Sequence, residues 1–418
     1  MPNRMATPRL TSRERVRRTL NYQEPDRVPI DIGGSYVTSV CIDAYAKLRE
    51  QLGLAGDPPR VNELMYMLAE MEDEVRVRLH GDVIELQSPL ARFNIARSGW
   101  KTWRNEIGTL VQVPGGYNPV EADGYLWIRD GEGRNIARMP KGGLYYDYVQ
   151  SLSELREFEP ADLKQWAAVQ PAFTDEQLRA LEREARQLHE STDYAICGGF
   201  YKSGAGMIPT VAGHSFTEWL CILMTETDYA REVVAISTDA ALRNLARYLE
   251  AVGSYLDLIV ISTTDFGTQQ GEMFQPDIWR QVYLPNYQKL NDHVHRHSRA
   301  KTFYHSCGSI YHLIPQMIEA GVDILNPVQV SAAGMDARRL KAEFGGRIVF
   351  WGGGIDTQTV LPFGTAAEVR AQVKERIEIF APGGGFVFAP VHDIQYGVPP
   401  DNILAMADAA VEYGIYPG

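Results

Sequence analysis

A regular rhythm constrains this chain more than any other feature. From Phe173 onward, short apolar runs alternate with longer segments of helical periodicity. The runs occupy residues 194–197, 256–261, 301–304, 322–325, 347–351 and 386–389, and each ends in small or polar residues. Helices are expected between them, over 227–252, 276–296, 310–320, 336–344 and 366–380. Strands that alternate with helices pair in parallel, because a parallel neighbour is reached only through a crossover. Two earlier runs, near Arg27 and at 81–86, bring the set to the eight strands that close a barrel. The expected fold is therefore α/β, a (β/α)8 TIM barrel. A doubly wound open sheet is the alternative, but its nucleotide fingerprint, G-x-G-x-x-G opening a helix after a first strand, is not found where it belongs.

The N-terminal half has a different texture. After a tail of ten residues, Thr11-Ser-Arg-Glu14 has the form of a capping box, and further helices are expected over 42–52 and 62–79. Residues 102–113 and 125–139 then alternate apolar and polar positions, with Asp130-Gly-Glu-Gly133 as a hairpin turn. This reads as a β-hairpin excursion, a β-rich insertion over 99–160 within a single domain spanning 1–418. It either covers the mouth of a pocket or decorates the surface.

The balance of charge excludes some partners. The chain has 418 residues and a formal net charge of −12, without a basic run longer than two or three residues. Nucleic acid and anionic membranes are not expected partners. The four cysteines, Cys41, Cys197, Cys221 and Cys307, lie too far apart in sequence to read as a disulfide framework. No stretch approaches the roughly 20 apolar residues of a membrane span, and the first residues do not resemble a signal peptide. A reducing cytoplasm is the expected compartment. The oligomeric state is open.

In a barrel of this kind, chemistry gathers at the C-terminal ends of the strands. The residues expected there are Glu85, Thr263-Thr-Asp265, His305-Ser-Cys307-Gly308, Asn326-Pro-Val-Gln329, Gly352-Gly-Gly-Ile-Asp356 and Pro390-Val-His392-Asp393. Residues two apart in extended backbone point the same way, so His305 and Cys307 can meet one ion. His392, from the last strand end, can close the triangle. Two imidazoles and a thiolate suit Zn2+ with a fourth position open, the pattern of a catalytic site. The spacing also fits a buried thiol beside a core histidine. Asp265 and Asp356 can orient a ligand, bind substrate or simply cap a helix. Glu85 stands in an otherwise apolar strand. His293, His295 and His297 read as a surface cluster at a helix end, and Gly198–Gly206 as a plain glycine-rich loop.

Taken together, these motifs resemble the uroporphyrinogen-decarboxylase superfamily. The resemblance is carried by His305-Ser-Cys-Gly308, by Ile318 through Pro327, by Phe350-Trp-Gly-Gly-Gly-Ile-Asp356 and by Ala389-Pro-Val-His-Asp-Ile-Gln395. Ser12 through Leu20, Pro25-Asp-Arg-Val-Pro29, and Asp265-Phe-Gly-Thr-Gln-Gln-Gly271 are similar too. The resemblance implies a (β/α)8 barrel. True uroporphyrinogen decarboxylases grip their substrate with an arginine-rich loop after the first strand. Here that segment is Asp31-Ile-Gly-Gly-Ser-Tyr-Val-Thr-Ser39, with no arginine. The other branch comprises cobamide-dependent methyltransferases that hold zinc through H-x-C and a later cysteine. His305 and Cys307 match the first two ligands, and His392 stands where the third is expected.

The resemblance thus implies a zinc-dependent methyltransferase acting on a small methylated substrate of methoxy or methylamine type. The corrinoid (cobalamin) would arrive on a partner protein or free in solution, since no D-x-H-x-x-G segment is present. His305, Cys307 and His392 are the expected metal ligands, with Asp265 and His392 in catalytic roles. Tyr36, Glu85, Asn326, Gln329 and Asp356 are the expected substrate wall. The competing reading is a metal-independent decarboxylase of a non-porphyrin carboxylic acid, with Asp265 or Glu85 as general acid and His392 binding a carboxylate.

Overall fold

A computed structural model describes residues 10–149, 172–199 and 216–417, together with Gln165. Seven strands form one parallel sheet: Val83–Leu86, Ala195–Gly199, Leu258–Ser262, Lys301–His305, Ile324–Asn326, Val349–Trp351 and Phe386–Val387. They lie side by side in chain order, each hydrogen-bonded to the next. The sheet curls, and residues 29–31 span its two edges. Phe388 donates its backbone N–H to Pro29, Asp31 donates to Phe388, and Asp82 donates to Ile30, each at 2.8 Å. The architecture is TIM-barrel-like.

The strands read as nearly continuous apolar runs because both faces are covered. Alternation still sorts their residues into two sets. Val83, Ala195, Cys197, Leu258, Val260, Phe303, Ile324, Val349, Trp351 and Val387 form one buried cluster inside the curl. Their neighbours Ile196, Ile259, Ile261, Tyr304, Leu325, Phe350 and Phe386 belong to the larger cluster shared with the helices. The first helix, Ser12–Leu20, sends Val16 and Leu20 into the inner cluster. Its capping box forms as expected, with the Thr11 side chain accepting from the Glu14 N–H.

The glycine-rich stretch from Gly198 falls outside the described residues beyond Gly199. Helices 227–252 and 366–380 appear where periodicity put them, as Thr227–Val252 and Ala366–Phe380. Three other expectations needed correction. Residues 62–79 are not one helix: Val61–Glu63 pairs antiparallel with Leu68–Ala69, and only Asp73–Arg78 is helical. The turn between those strands takes Met67 to a φ of 50°. The segment 276–296 divides into Pro276–Val282 and Leu284–His297. Pro285 explains the break, since it lacks the N–H that would continue the first helix. The segment 310–320 is helical only over Ile314–Glu319, and it too begins with a proline in its first turn.

Antiparallel strands fill the region before residue 149. Lys101–Arg104 pairs with Leu110–Val113. Tyr125–Arg129 pairs with Asn135–Pro140, and Val120–Ala122 and Asp147–Tyr148 flank that pair. Asp130 accepts the N–H groups of Glu132 and Arg134 across the turn. The inward residues Val111, Val113, Leu126, Ile128, Ala137 and Met139 are buried in the main core cluster. No helix among the described residues is long and apolar enough to cross a membrane.

A buried carboxylate holds the seam. Asp82 is fully buried and accepts from Arg15, Arg27, Ser12 and the Ile30 N–H at 2.7–3.1 Å. Removing one member of such a cluster leaves charge buried without a partner, which costs about 3–5 kcal/mol. Asp82→Ala is expected to lower the unfolding free energy measured by urea titration accordingly, and a loss below about 1 kcal/mol would show that this cluster does not hold the seam.

Candidate functional site

Lys301–His305 alternates so that Phe303 faces the interior, and His305, two residues on, faces the same way. The register sets His305 directly beside Asn326 on the next strand. His305 Nδ1 meets Asn326 Oδ1 at 2.6 Å, while Asn326 Nδ2 donates to the Trp351 carbonyl at 2.9 Å. With its nitrogen committed as a donor, Asn326 offers its oxygen to the ring, so Nδ1 carries the proton. The lone pair then sits on Nε2. Burial holds the imidazole far below its ordinary pKa, at about 4, with nearby Asp265 acting in the opposite direction. His305 is therefore neutral at physiological pH.

Cys307 follows in the turn beyond the strand, its Sγ 3.3 Å from His305 Nε2. Its backbone N–H donates to Asp265 Oδ1 at 2.7 Å, and that carboxylate lies 3.7 Å from His305 Nε2. Burial pushes the Cys307 thiol up, as do Asp265 and Asp393. His392, from the loop after Phe386–Val387, stands with its ring 5.4 Å from that of His305, at 82°. Its Nδ1 accepts the Asp393 N–H at 2.8 Å. Burial lowers the His392 pKa too. One ligand atom from each of His305, Cys307 and His392 lies within 4.8 Å of the others. Among the described residues, theirs is the one cluster of three or more such side chains with this spacing. Two nitrogens and one sulfur at this separation fit a zinc-sized ion.

Two glycines make the approach possible. Gly308 has a φ of +89°, and a Cβ there would come within 2.4 Å of the Gly267 carbonyl carbon. A Cβ on Gly267 would fall 2.7 Å from the Cys307 carbonyl oxygen. The loops bearing Asp265 and Cys307 thus abut backbone to backbone. Gln329 supports the turn from below, accepting the Gly308 N–H at 2.7 Å and donating to Gln269.

The other expected residues are placed as follows. Asn326 is fully buried, with both ends of its amide engaged, and Gln329 is buried. Tyr36 is buried and donates its hydroxyl to Thr263 at 2.7 Å. Glu85 is buried and accepts from Asn62 and Gln87. Asp356 accepts from the Gln358 N–H and the Thr359 hydroxyl, stabilising its own loop. Sequence reasoning gave no role to Asp393, Asp31, Glu63 and Arg92. Asp393 is buried, accepts the Ser39 N–H at 2.7 Å and reaches to 3.4 Å from His392 Nδ1; burial raises its pKa well above the carboxylate range. Its signal was present, as an acid directly following a candidate ligand. Asp31 is buried beneath the Trp351 indole N–H at 2.8 Å, and burial raises it to about 6. Glu63 pairs with Arg92 at 2.6 Å, and nothing in the local sequence announces that pair.

Gly308→Ala is expected to break the loop contact, since an alanine held in left-handed backbone costs about 1–2 kcal/mol before any overlap. Amide exchange at Cys307 should accelerate roughly tenfold as its bond to Asp265 opens. Protection equal to that of the unaltered chain would show that the two loops do not depend on each other.

Comparison with known proteins bears on this arrangement. The pattern of the uroporphyrinogen decarboxylase (URO-D) family matches residues 152–413, more than half of the chain. A solved methyltransferase from Methanosarcina mazei matches with a TM-score of 0.57 and 17% identity, over 97% of this chain and 99% of that one. The apo homocysteine methyltransferase MmuM from Escherichia coli matches at a TM-score of 0.24 and 10% identity, over 62% of this chain and 78% of that one, too remotely to bear on the fold. A comparison with curated proteins gives no match. The extent of the family match settles the assignment: the chain belongs to the uroporphyrinogen decarboxylase (URO-D) family.

Proposed function

We propose that this protein is a zinc-dependent methyltransferase. It moves a methyl group between a small methylated substrate of methoxy or methylamine type and a corrinoid carried by a partner protein. The observation that carries this reading is the convergence of His305, Cys307 and His392 within 4.8 Å at the strand ends. The likeness in fold to the Methanosarcina mazei methyltransferase supports it.

His305 would bind through Nε2, its ring fixed by Asn326. Cys307 would bind as the thiolate. His392 would supply the third ligand, its ring held in place by the Asp393 N–H that Nδ1 accepts at 2.8 Å. A zinc ion held there would supply Lewis acidity, stabilising the heteroatom that keeps the bonding electron pair as the methyl carbon departs for the reduced cobalt of the partner. Asp265, 3.7 Å from His305 Nε2, is placed to complete the ligand sphere or to orient the incoming substrate. The exchange of a thiolate for His392 leaves the set less anionic, which favours a methyl ether over a thiol as the substrate.

The second reading is a metal-independent decarboxylase of a non-porphyrin acid. It draws on the buried carboxyls of Asp31 and Asp393, whose pKa values burial raises.

Metal analysis separates the two. The purified protein is expected to hold one zinc per chain, lost in His392→Ala, and to release methyl groups from methyl ethers to reduced cobalamin. Metal-free protein, or methylation of a thiol without ether cleavage, would sink the methyltransferase reading as stated. Asn326→Ala should weaken zinc binding by about 10–100-fold, because the His305 ring loses its support. The affinity should also rise with pH. Both imidazoles are already neutral at pH 7, whereas the Cys307 thiol is raised and must lose its proton on binding. Zinc affinity should therefore climb about tenfold per pH unit between pH 7 and 9, with one proton released per ion. A flat profile over that range would exclude Cys307 as a ligand.

A further inference from the structure

The Arg92 guanidinium is held at the same rim by contacts that, among the described residues, leave its terminal nitrogens without a hydrogen bond. Its Nε donates to Glu63 Oε1 at 2.6 Å, and Glu63 is 2% exposed, its other oxygen accepting the Tyr66 N–H at 2.7 Å. The guanidinium carbon sits 5.8 Å from the centre of the Tyr36 ring. The Tyr36 hydroxyl reaches Thr263, two residues before Asp265. Tyr66 lies within electrostatic reach of both Arg92 and Asp265. Arg92 and the His305–Cys307–His392 cluster therefore share one rim of the barrel.

The terminal nitrogens of Arg92 make no hydrogen bond to the described residues, yet they are not sealed from solvent. Nearby Arg97 differs, spending its terminal nitrogens on the Asn62 carbonyl and on Glu70. The backbone that projects Arg92 is unusual too. Phe93 and Asn94 both adopt left-handed conformations, with φ of 65° and 58°. Two consecutive non-glycine residues in that region cost energy that local packing must offset, and such strain clusters at ligand-holding positions. The guanidinium is thus anchored along one edge by a carboxylate and stacked on an aromatic ring. It presents a two-nitrogen fork with no acceptor among the described residues, the geometry that receives a carboxylate.

We propose that Arg92 is a specificity-determining residue that binds a carboxylate on the methylated substrate while the substrate's methyl-bearing heteroatom lies at the His305–Cys307–His392 cluster. This rests on the reading of that cluster as the methyl-transfer centre and names the substrate class: a small methyl ether or methylamine that also carries an acid group. The Tyr36 ring beneath the guanidinium and the neighbouring Tyr66 suit an aromatic frame between the two ends.

The test uses calorimetric binding of 4-methoxybenzoate and its neutral counterpart 4-methoxybenzamide to the full chain. The unaltered protein is expected to prefer the benzoate by at least about tenfold, the scale of a charge-assisted bidentate pair. Arg92→Gln should abolish the preference, and Arg92→Lys should retain part of it. Because Arg92→Gln leaves Glu63 buried without its cation, the double variant Arg92→Gln with Glu63→Gln serves as a folded control and should also lack the preference. Equal affinity for the two probes, binding of neither, or a preference that survives in Arg92→Gln would overturn the proposal. Zinc content of the same preparations keeps the two readings apart. Bound zinc without a carboxylate preference rejects Arg92 alone, and a preference in protein that never holds zinc rejects the metal reading alone.

Discussion

The buried carboxylate of Asp82 is the interaction on which the rest of the structure depends. It accepts from Arg15 on the first helix, from Arg27 before the seam and from the Ile30 N–H within it. A charge so fully removed from water is tolerable only because cations and N–H donors surround it. The arrangement ties the N-terminal helix to the place where residues 29–31 meet both edges of the sheet. Once the sheet curls shut there, its strand ends share one rim. Only then do residues separated by more than a hundred positions, such as Asp265 and His392, face a common point.

The fold was largely legible because each strand and helix carries its own local signal. Apolar runs, capping boxes at Thr11 and Thr365, and the long periodic stretch ending at Val252 all report on their neighbourhoods. Reading failed where tertiary pairing overrode periodicity. Residues 62–79 space their apolar side chains like a helix, but the chain spends Val61–Glu63 on a strand pair and buries Glu63 against Arg92. Proline breaks, as at Pro285, were visible in sequence but were outweighed by the periodicity on either side.

The candidate site was legible to the extent that its chemistry lies in short motifs. His305 and Cys307 stand two apart on a strand end, and their convergence with His392 follows from where those ends must meet. What surrounds them was less readable. Asn326 is an expected substrate-wall residue, and what the sequence did not reveal is that its side chain engages His305 at one end and the Trp351 carbonyl at the other. That role depends on the register between two strands, which no local pattern encodes. Arg92 was invisible for a similar reason, since its partners Glu63 and Tyr36 come from a strand and a loop distant in sequence.

The Asn326 bridge has a mechanical consequence. Its amide joins the His305 imidazole to the Trp351 carbonyl, and the Trp351 indole in turn donates to Asp31, which accepts the Gly34 N–H. Four consecutive hydrogen bonds thus form a girdle from the ring of His305 to the loop beyond the seam. Imidazole orientation becomes a property of the whole girdle, so a slackening at Gly34 would be felt as a rotation at His305. Tuning of this centre need not come from residues that touch it: a distant turn can act as the adjusting screw.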